Sequence, residues 1–149
     1  MKIILPIIII INLVLIRKSL LIVSVKGKSM TPTLQPDDRV LVFRYWPKNF
    51  LRKNNIVLIS QKNENEERAD KFPPCIKRIT GLPGEFMPSR FEINIGNDEN
   101  KFINSSDNLI IPEKHLFVQG DNYEKSIDSR HWGPIPYSKF LGVVVKRIK

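Results

Sequence analysis

The sequence predicts a mostly β domain behind an apolar N-terminus. Short runs rich in Val, Ile and Phe recur along the chain, turn-forming residues separate them, and a nearly uninterrupted apolar stretch opens it. In order, the expected strands are Asp38 to Phe43, Ile56 to Ser60, Cys75 to Thr80, Phe91 to Ile95, His115 to Gln119 and Leu141 to Ile148. One helical turn is expected at Met30 to Leu34, where Pro32 suits a turn start. Gln61 to Phe72 is charged and polar without an apolar period and reads as a loop, and Asn97 to Asn108 resembles it.

The first element is expected to be a membrane anchor. Ile3 to Ile16 is apolar apart from Pro6 and Asn12, is followed by Arg17-Lys18, and resumes at Leu20-Leu21-Ile22-Val23. Fourteen helical residues reach about 21 Å at roughly 1.5 Å each, short of a hydrocarbon core of about 30 Å. A full span therefore draws on the Leu20 side with Arg17 and Lys18 snorkelling, or is a shortened form of a longer segment. A cleavable secretory signal and a buried strand are the competing readings. No small-x-small site precedes Lys26, and a cut there would fall a few residues from Ser29. The expected division is residues 1–22 as anchor helix and 23–149 as one domain. Positive charge at both ends of the apolar run leaves its orientation open.

Composition narrows the function classes. The 149 residues carry 24 Lys and Arg against 15 Asp and Glu, a net charge of +9. The excess is scattered lysine in a chain rich in Ile, Asn and Lys, with no basic helix interleaved with aromatics, so nucleic acid is not expected as a partner. Cys75 is the only cysteine and His115 and His131 the only histidines, which leaves no metal-ligand cluster of known spacing and no internal disulfide. No metal or other cofactor is expected, and no P-loop or dinucleotide fingerprint is present.

Two segments carry chemistry. Val25-Lys26-Gly27-Lys28-Ser29-Met30-Thr31-Pro32-Thr33-Leu34 presents a serine, and Cys75-Ile76-Lys77-Arg78-Ile79-Thr80-Gly81-Leu82-Pro83-Gly84-Glu85 presents basic residues. A serine hydroxyl holds its proton at neutral pH and needs a base aimed at it. Lysine serves only when neutral, which an apolar, water-excluding pocket favours, whereas arginine does not lose its proton. On a strand over Cys75 to Thr80, Lys77 shares a face with Cys75 and Ile79, while Arg78 points the other way with Ile76. Lys77 is thus the candidate base for Ser29, against the bland reading of Lys77-Arg78 as a solvated pair on an edge strand.

A third segment, Gly120-Asp121-Asn122-Tyr123-Glu124-Lys125-Ser126-Ile127-Asp128-Ser129-Arg130-His131-Trp132-Gly133-Pro134, completes a set. In order and spacing the three resemble the signature boxes of type I signal peptidases, from Val23 to the end of the chain. Within that family the mitochondrial inner membrane protease branch is the nearest match. Val40-Leu41-Val42-Phe43, Trp46, Asn49-Phe50 and Asn55-Ile56-Val57-Leu58 look like its second subunit, and Asp128-Ser129-Arg130 suits the first as well.

The resemblance implies a compact antiparallel β fold and a Ser-Lys mechanism. It makes Ser29 the nucleophile, Lys77 the general base and Ser126 the hydroxyl that orients the lysine. Asp121, Asp128 and Arg130 become a charged scaffold, with Asp128 and Arg130 on one side of an extended segment; the alternative for the acidic residues is a solvated turn. Many bacterial members of the family place a serine two positions before the nucleophile as an oxyanion donor, worth roughly 2.7 to 4 kcal/mol, and here that position is Gly27. The substrate peptide is expected to add as a β-strand, with Val25, Met30, Leu34, Cys75 and Ile76 lining its pocket and admitting small side chains. Implied partners are presequence-bearing precursor proteins, the lipid bilayer and a second homologous peptidase subunit, at the mitochondrial inner membrane with the catalytic domain facing the intermembrane space. A bacterial-type signal peptidase and a catalytically weak stabilising subunit are the alternatives. A self-cleaving repressor is disfavoured because no DNA-binding helix-turn-helix precedes Ser29.

Overall fold

The computed structural model describes residues 17–61, 73–88, 91–93, 101–103 and 109–148. Its centre is a seven-stranded antiparallel sheet formed by β1 (Leu20–Ser24), β2 (Arg39–Phe43), β3 (Ile56–Ile59), β4 (Cys75–Gly81), β7 (His115–Gln119), β8 (Ile135–Pro136) and β9 (Phe140–Ile148). The spatial order is β1-β2-β9-β3-β4-β7-β8. A separate two-stranded ribbon joins β5 (Phe91–Ile93) to β6 (Lys101–Ile103). The mostly β expectation holds, and six of the expected strands appear with ends within one or two residues.

Strand alternation sends apolar side chains to both faces, and both are covered. Val57 and Ile59 of β3 pack with Leu51, Ile79, Leu116, Val118, Ile135, Phe140 and Val143. Leu58, between them, packs on the other side with Val25, Met30, Leu34, Val40, Val42 and Ile76. This second cluster anchors the loop that carries Ser29, because Val25, Met30 and Leu34 are each at most 4% exposed.

Two elements differ from expectation. β1 starts at Leu20, pairing Leu20 with Phe43 through Ser24 with Arg39, so the sheet uses residues that continue the apolar N-terminal run in sequence. Lys101–Ile103 is a strand inside a segment expected to be loop, since pairing with β5 satisfies its backbone despite polar flanks. Met30 to Leu34 forms the single helical turn expected there, closed by Leu34 N–H donating to Met30 O at 2.9 Å. The expected anchor falls mainly on residues 1–16, and the polar insert on residues 62–72, both outside the described residues. Among the described residues no helix is long and apolar enough to cross a membrane.

Candidate active site

Lys77 sits opposite Val57 on β4 and is 3% exposed. Its Nζ donates to Ser126 Oγ at 2.9 Å, within the sheet's apolar surroundings. Burial strips the ammonium of water and lowers the Lys77 pKa; the Arg130 charge adds to this, while Cys75 and Asp128 act against it. Burial likewise pushes the neighbouring Cys75 thiol up, which keeps it an unreactive strand residue.

Ser126 is held by the chain around it. Asn122 Oδ1 caps the short 3-10 turn Tyr123–Lys125 by accepting from Lys125 N–H, and Ser126 follows directly, 4% exposed. Gly120 lies against it. A Cβ at position 120 would collide with Ser126 Oγ and come 2.5 Å from the Ser29 carbonyl oxygen, so only glycine lets the two segments close up. The Ser29 loop is then fastened across the gap: Asn122 N–H donates to Ser29 O at 2.9 Å and Asn122 Nδ2 to Thr31 Oγ1 at 2.8 Å. Ser29 itself is half-buried. Gly27, two residues before it, has φ of +81° and open space where a Cβ would be.

The scaffold residues divide into two pairs. Asp128, fully buried, accepts from Arg130 Nε and an Arg130 terminal nitrogen at 2.8 Å each, from Gly120 N–H at 2.8 Å and from Arg130 N–H at 3.2 Å. Burial raises the Asp128 carboxyl, but the hydrogen bonds from Arg130, Gly120 and Ser126 outweigh it and hold the pKa below the usual carboxylate range. Arg130 also donates to the carbonyls of Tyr123 and Ser126 and stacks 3.8 Å over the Tyr123 ring. The two residues do not lie on an extended segment. Asp128 is the N-cap of a helical turn, α1 (Ser129–Trp132), in a capping box with His131, because its carboxylate satisfies N–H groups the turn leaves free.

Asp121 stands apart from this pair. It binds Arg78 side-on, accepting from Nε at 2.7 Å and from a terminal nitrogen at 2.6 Å. Burial raises its pKa less than the hydrogen bonds from Arg78 and Thr33 and the Arg78 charge lower it. Arg78 further donates to Asn54 O at 2.9 Å. Sequence reading left Arg78, Gly120, Asn122 and Ser129 without a structural role. Ser129 Oγ, fully buried, accepts from Val118 N–H at 3.0 Å. No local pattern signals these contacts, which join segments far apart in the chain.

A cleft of about 340 Å³ opens at Ser29. Val25, Ser29 and Met30 form one wall and Pro73, Pro74, Cys75 and Ile76 the other, with Leu21, Val23 and Gln61 extending it. Leu34 does not line it but lies in the core cluster beneath. Among the described residues no group of three or more His, Cys, Asp or Glu side chains is placed to hold a metal ion.

A serine at the mouth of a strand-edged cleft, on a loop fastened to the segment whose Ser126 holds a buried amine of weakened proton affinity, suits a hydrolase that attacks peptide carbonyls, and the whole chain agrees. Residues 1–148 match the family model for signal peptidase, peptidase S26. The chain belongs to that family of serine endopeptidases of the signal peptidase I type. It is 34% identical over 125 residues to the mitochondrial ATP-independent inner membrane protease subunit 1b of Arabidopsis thaliana, covering 82% of this chain and 66% of the relative. It is 31% identical to the mitochondrial inner membrane protease subunit 2 of Saccharomyces cerevisiae, covering 83% and 65%, and 31% identical to signal peptidase I of Leptolyngbya laminosa, covering 83% and 66%. The chain thus spans about two thirds of the length of these relatives.

Proposed function

We propose that this chain is a membrane-bound Ser-Lys endopeptidase that removes N-terminal sorting peptides from proteins delivered to the mitochondrial intermembrane space. The observation that carries the reading is Lys77, buried, shifted toward the neutral amine and held by Ser126. Ser29 Oγ attacks the scissile carbonyl carbon as its proton passes to Lys77 Nζ. The ammonium so formed then protonates the leaving nitrogen as the peptide bond breaks, leaving the acyl group on Ser29; water attacks the ester as Lys77 takes its proton, and Lys77 returns that proton to Ser29 Oγ as the acid departs. Ser126 restricts the rotamers of Lys77 so that its lone pair faces Ser29. Asp128 and Arg130 brace the Ser126 backbone, and Asp121 locks the far side of β4 through Arg78. With glycine at position 27, backbone N–H groups at Ser29 hold the oxyanion.

The substrate adds as a strand. β4 pairs with β3 along Cys75 to Arg78, whereas β7 joins it only from Arg78 onward, and β1 stands at the sheet's margin. The residues before the cut lie in the cleft between these two edges, over Val25, Met30, Cys75 and Ile76, with side chains small enough for that space. The apolar run before β1 contributes the anchor and the chain from Leu20 onward the catalytic domain, in partnership with a second homologous subunit. The similarity to a bacterial signal peptidase I favours a second reading, in which the chain cleaves secretory signal peptides without a partner.

The test is cleavage of a presequence-bearing precursor by the purified full chain in detergent, with and without a candidate partner subunit. Wild type is expected to cut and Ser29→Ala to leave the precursor intact while remaining folded. Activity only on secretory precursors would favour the second reading. Activity equal in Ser29→Ala would remove the nucleophile assignment, and activity only from the partner would make this chain the stabilising subunit.

A further inference from the structure

A second and larger cleft, of about 440 Å³, lies on the opposite face of the sheet from the Ser29 cleft. Ile59, Ser60 and Gln61 at the end of β3 form one side, and Ile127, Trp132 and Ile135 the other. Ile127 is 70% exposed and Trp132 38%, so the cleft presents apolar surface to whatever enters. Its place is fixed by strand alternation. Leu58 lines the Ser29 cleft and its neighbour Ile59 lines the second one. Ile59 is opposite Cys75 and packs in one cluster with Ile79 and Ile135, so the second cleft lies on the face of β4 that Ile79 and Lys77 share, while Ile76 faces the Ser29 cleft, whose rim Cys75 also borders. Gln61 borders both clefts, which therefore meet past the end of β3.

A peptide extended along the free edge of β4 alternates its side chains between those faces. The residue whose carbonyl meets Ser29 turns its side chain into the Ser29 cleft, as does the residue two positions earlier. The one between them turns the other way. We propose that the second cleft receives the side chain two residues before the scissile bond and selects a branched or aromatic apolar residue there. This rests on Ser29 and Lys77 being the peptidase pair and names a specificity element of that site. The residue after the cut also alternates away from the Ser29 cleft, but it lies past Lys77, where β7 closes the edge at Arg78.

The experiment is a peptide series cut by the full chain in detergent, with alanine at the first and third positions before the bond and Gly, Ala, Leu or Phe at the second. The Leu and Phe peptides are expected to exceed the Gly peptide in kcat/KM by about tenfold, the low end for a small size difference in an apolar pocket. Ile127→Ser, on an exposed loop side chain, is expected to bring that ratio close to one. Equal cleavage of all four peptides by wild type would overturn the proposal alone. So would an unchanged ratio in Ile127→Ser, or selectivity appearing instead at the residue after the bond. Failure to cut any of them, with Ser29 intact, would instead remove the peptidase reading on which the proposal stands.

Discussion

Lys77 on β4 and Arg130 on α1 are cations buried to similar degrees, 3% and 6% exposed, and their surroundings act on their protons in opposite directions. Arg130 meets the Asp128 carboxylate through two side-chain hydrogen bonds, which raise its pKa against the effect of burial. Lys77 meets a neutral hydroxyl, and burial lowers its pKa. Exposure alone therefore says little about charge in an interior; the direct hydrogen-bond partner decides. One cation is made permanent and holds a loop; the other is made removable, as the proposed role of Lys77 as base requires.

The most severe way to break this contrast is to give position 77 a permanent charge. Lys77→Arg is expected to lower cleavage by more than about 10⁴-fold, as loss of a central catalytic group does elsewhere. Circular dichroism should show the strand content retained. Near-normal turnover would mean that no neutral amine is needed.

Removing the carboxylate from the other cation should be felt in stability. Asp128→Ala leaves Arg130 buried without its counter-ion and is expected to cost about 3 to 5 kcal/mol in urea unfolding. A loss under about 1 kcal/mol would class the pair with solvent-screened surface bridges.

Ser126→Ala sharpens the comparison on the lysine side. Loss of one buried hydrogen bond is expected to reduce kcat by about tenfold to a hundredfold with KM little changed, because the cleft walls are untouched. A change in KM alone would place Ser126 in substrate binding.

The mildest probe is pH. Activity is expected to rise along a limb whose apparent pKa lies below the lysine value of 10.5, since the amine works once deprotonated. A histidine-controlled limb falls near about 6.5, so the Lys77 limb must persist in His115→Ala and His131→Ala. Stability follows both cations' neighbours. With its folded pKa depressed, Lys77 disfavours folding at low pH, and this penalty fades as pH rises from the depressed value toward 10.5. Asp128, also depressed, contributes stability that is present above its model value of 3.8 and lost as pH falls through the folded pKa. Loss of the activity limb in either histidine variant, with the fold intact, would transfer the role of base to that histidine.

What could be read from sequence follows the range of the interactions involved. β3 and β7 are runs of Val, Ile, Leu and Phe, β4 carries Ile76 and Ile79 on opposite faces, and the face that Lys77 shares with Ile79 follows from that local alternation. β1 was hidden because Leu20 to Val23 continues an apolar run, and only its pairing with β2 distinguishes an edge strand from an anchor. β8 is two residues long and contains Pro136, too little for any periodicity. The residue types of the third segment were legible, but their partners were not. Asp128 and Arg130 are equally compatible with a strand or a capped turn, and the bond from Arg78 to Asp121 crosses 43 positions. Gly120 reads as a turn glycine until Ser29 and Ser126 are seen against it.

The long reach of these contacts also sets when the chain can act. The bond between Lys77 and Ser126 spans 49 positions, and the one between Asn122 and Thr31 spans 91. Until the later segment has been synthesised and packed, Lys77 is an ordinary hydrated lysine that keeps its proton at neutral pH. Contacts of such separation form late and slowly compared with local ones. On the proposed function, proteolytic competence therefore arrives only with the completed sheet, because the neutral amine it needs exists only once these distant segments have packed.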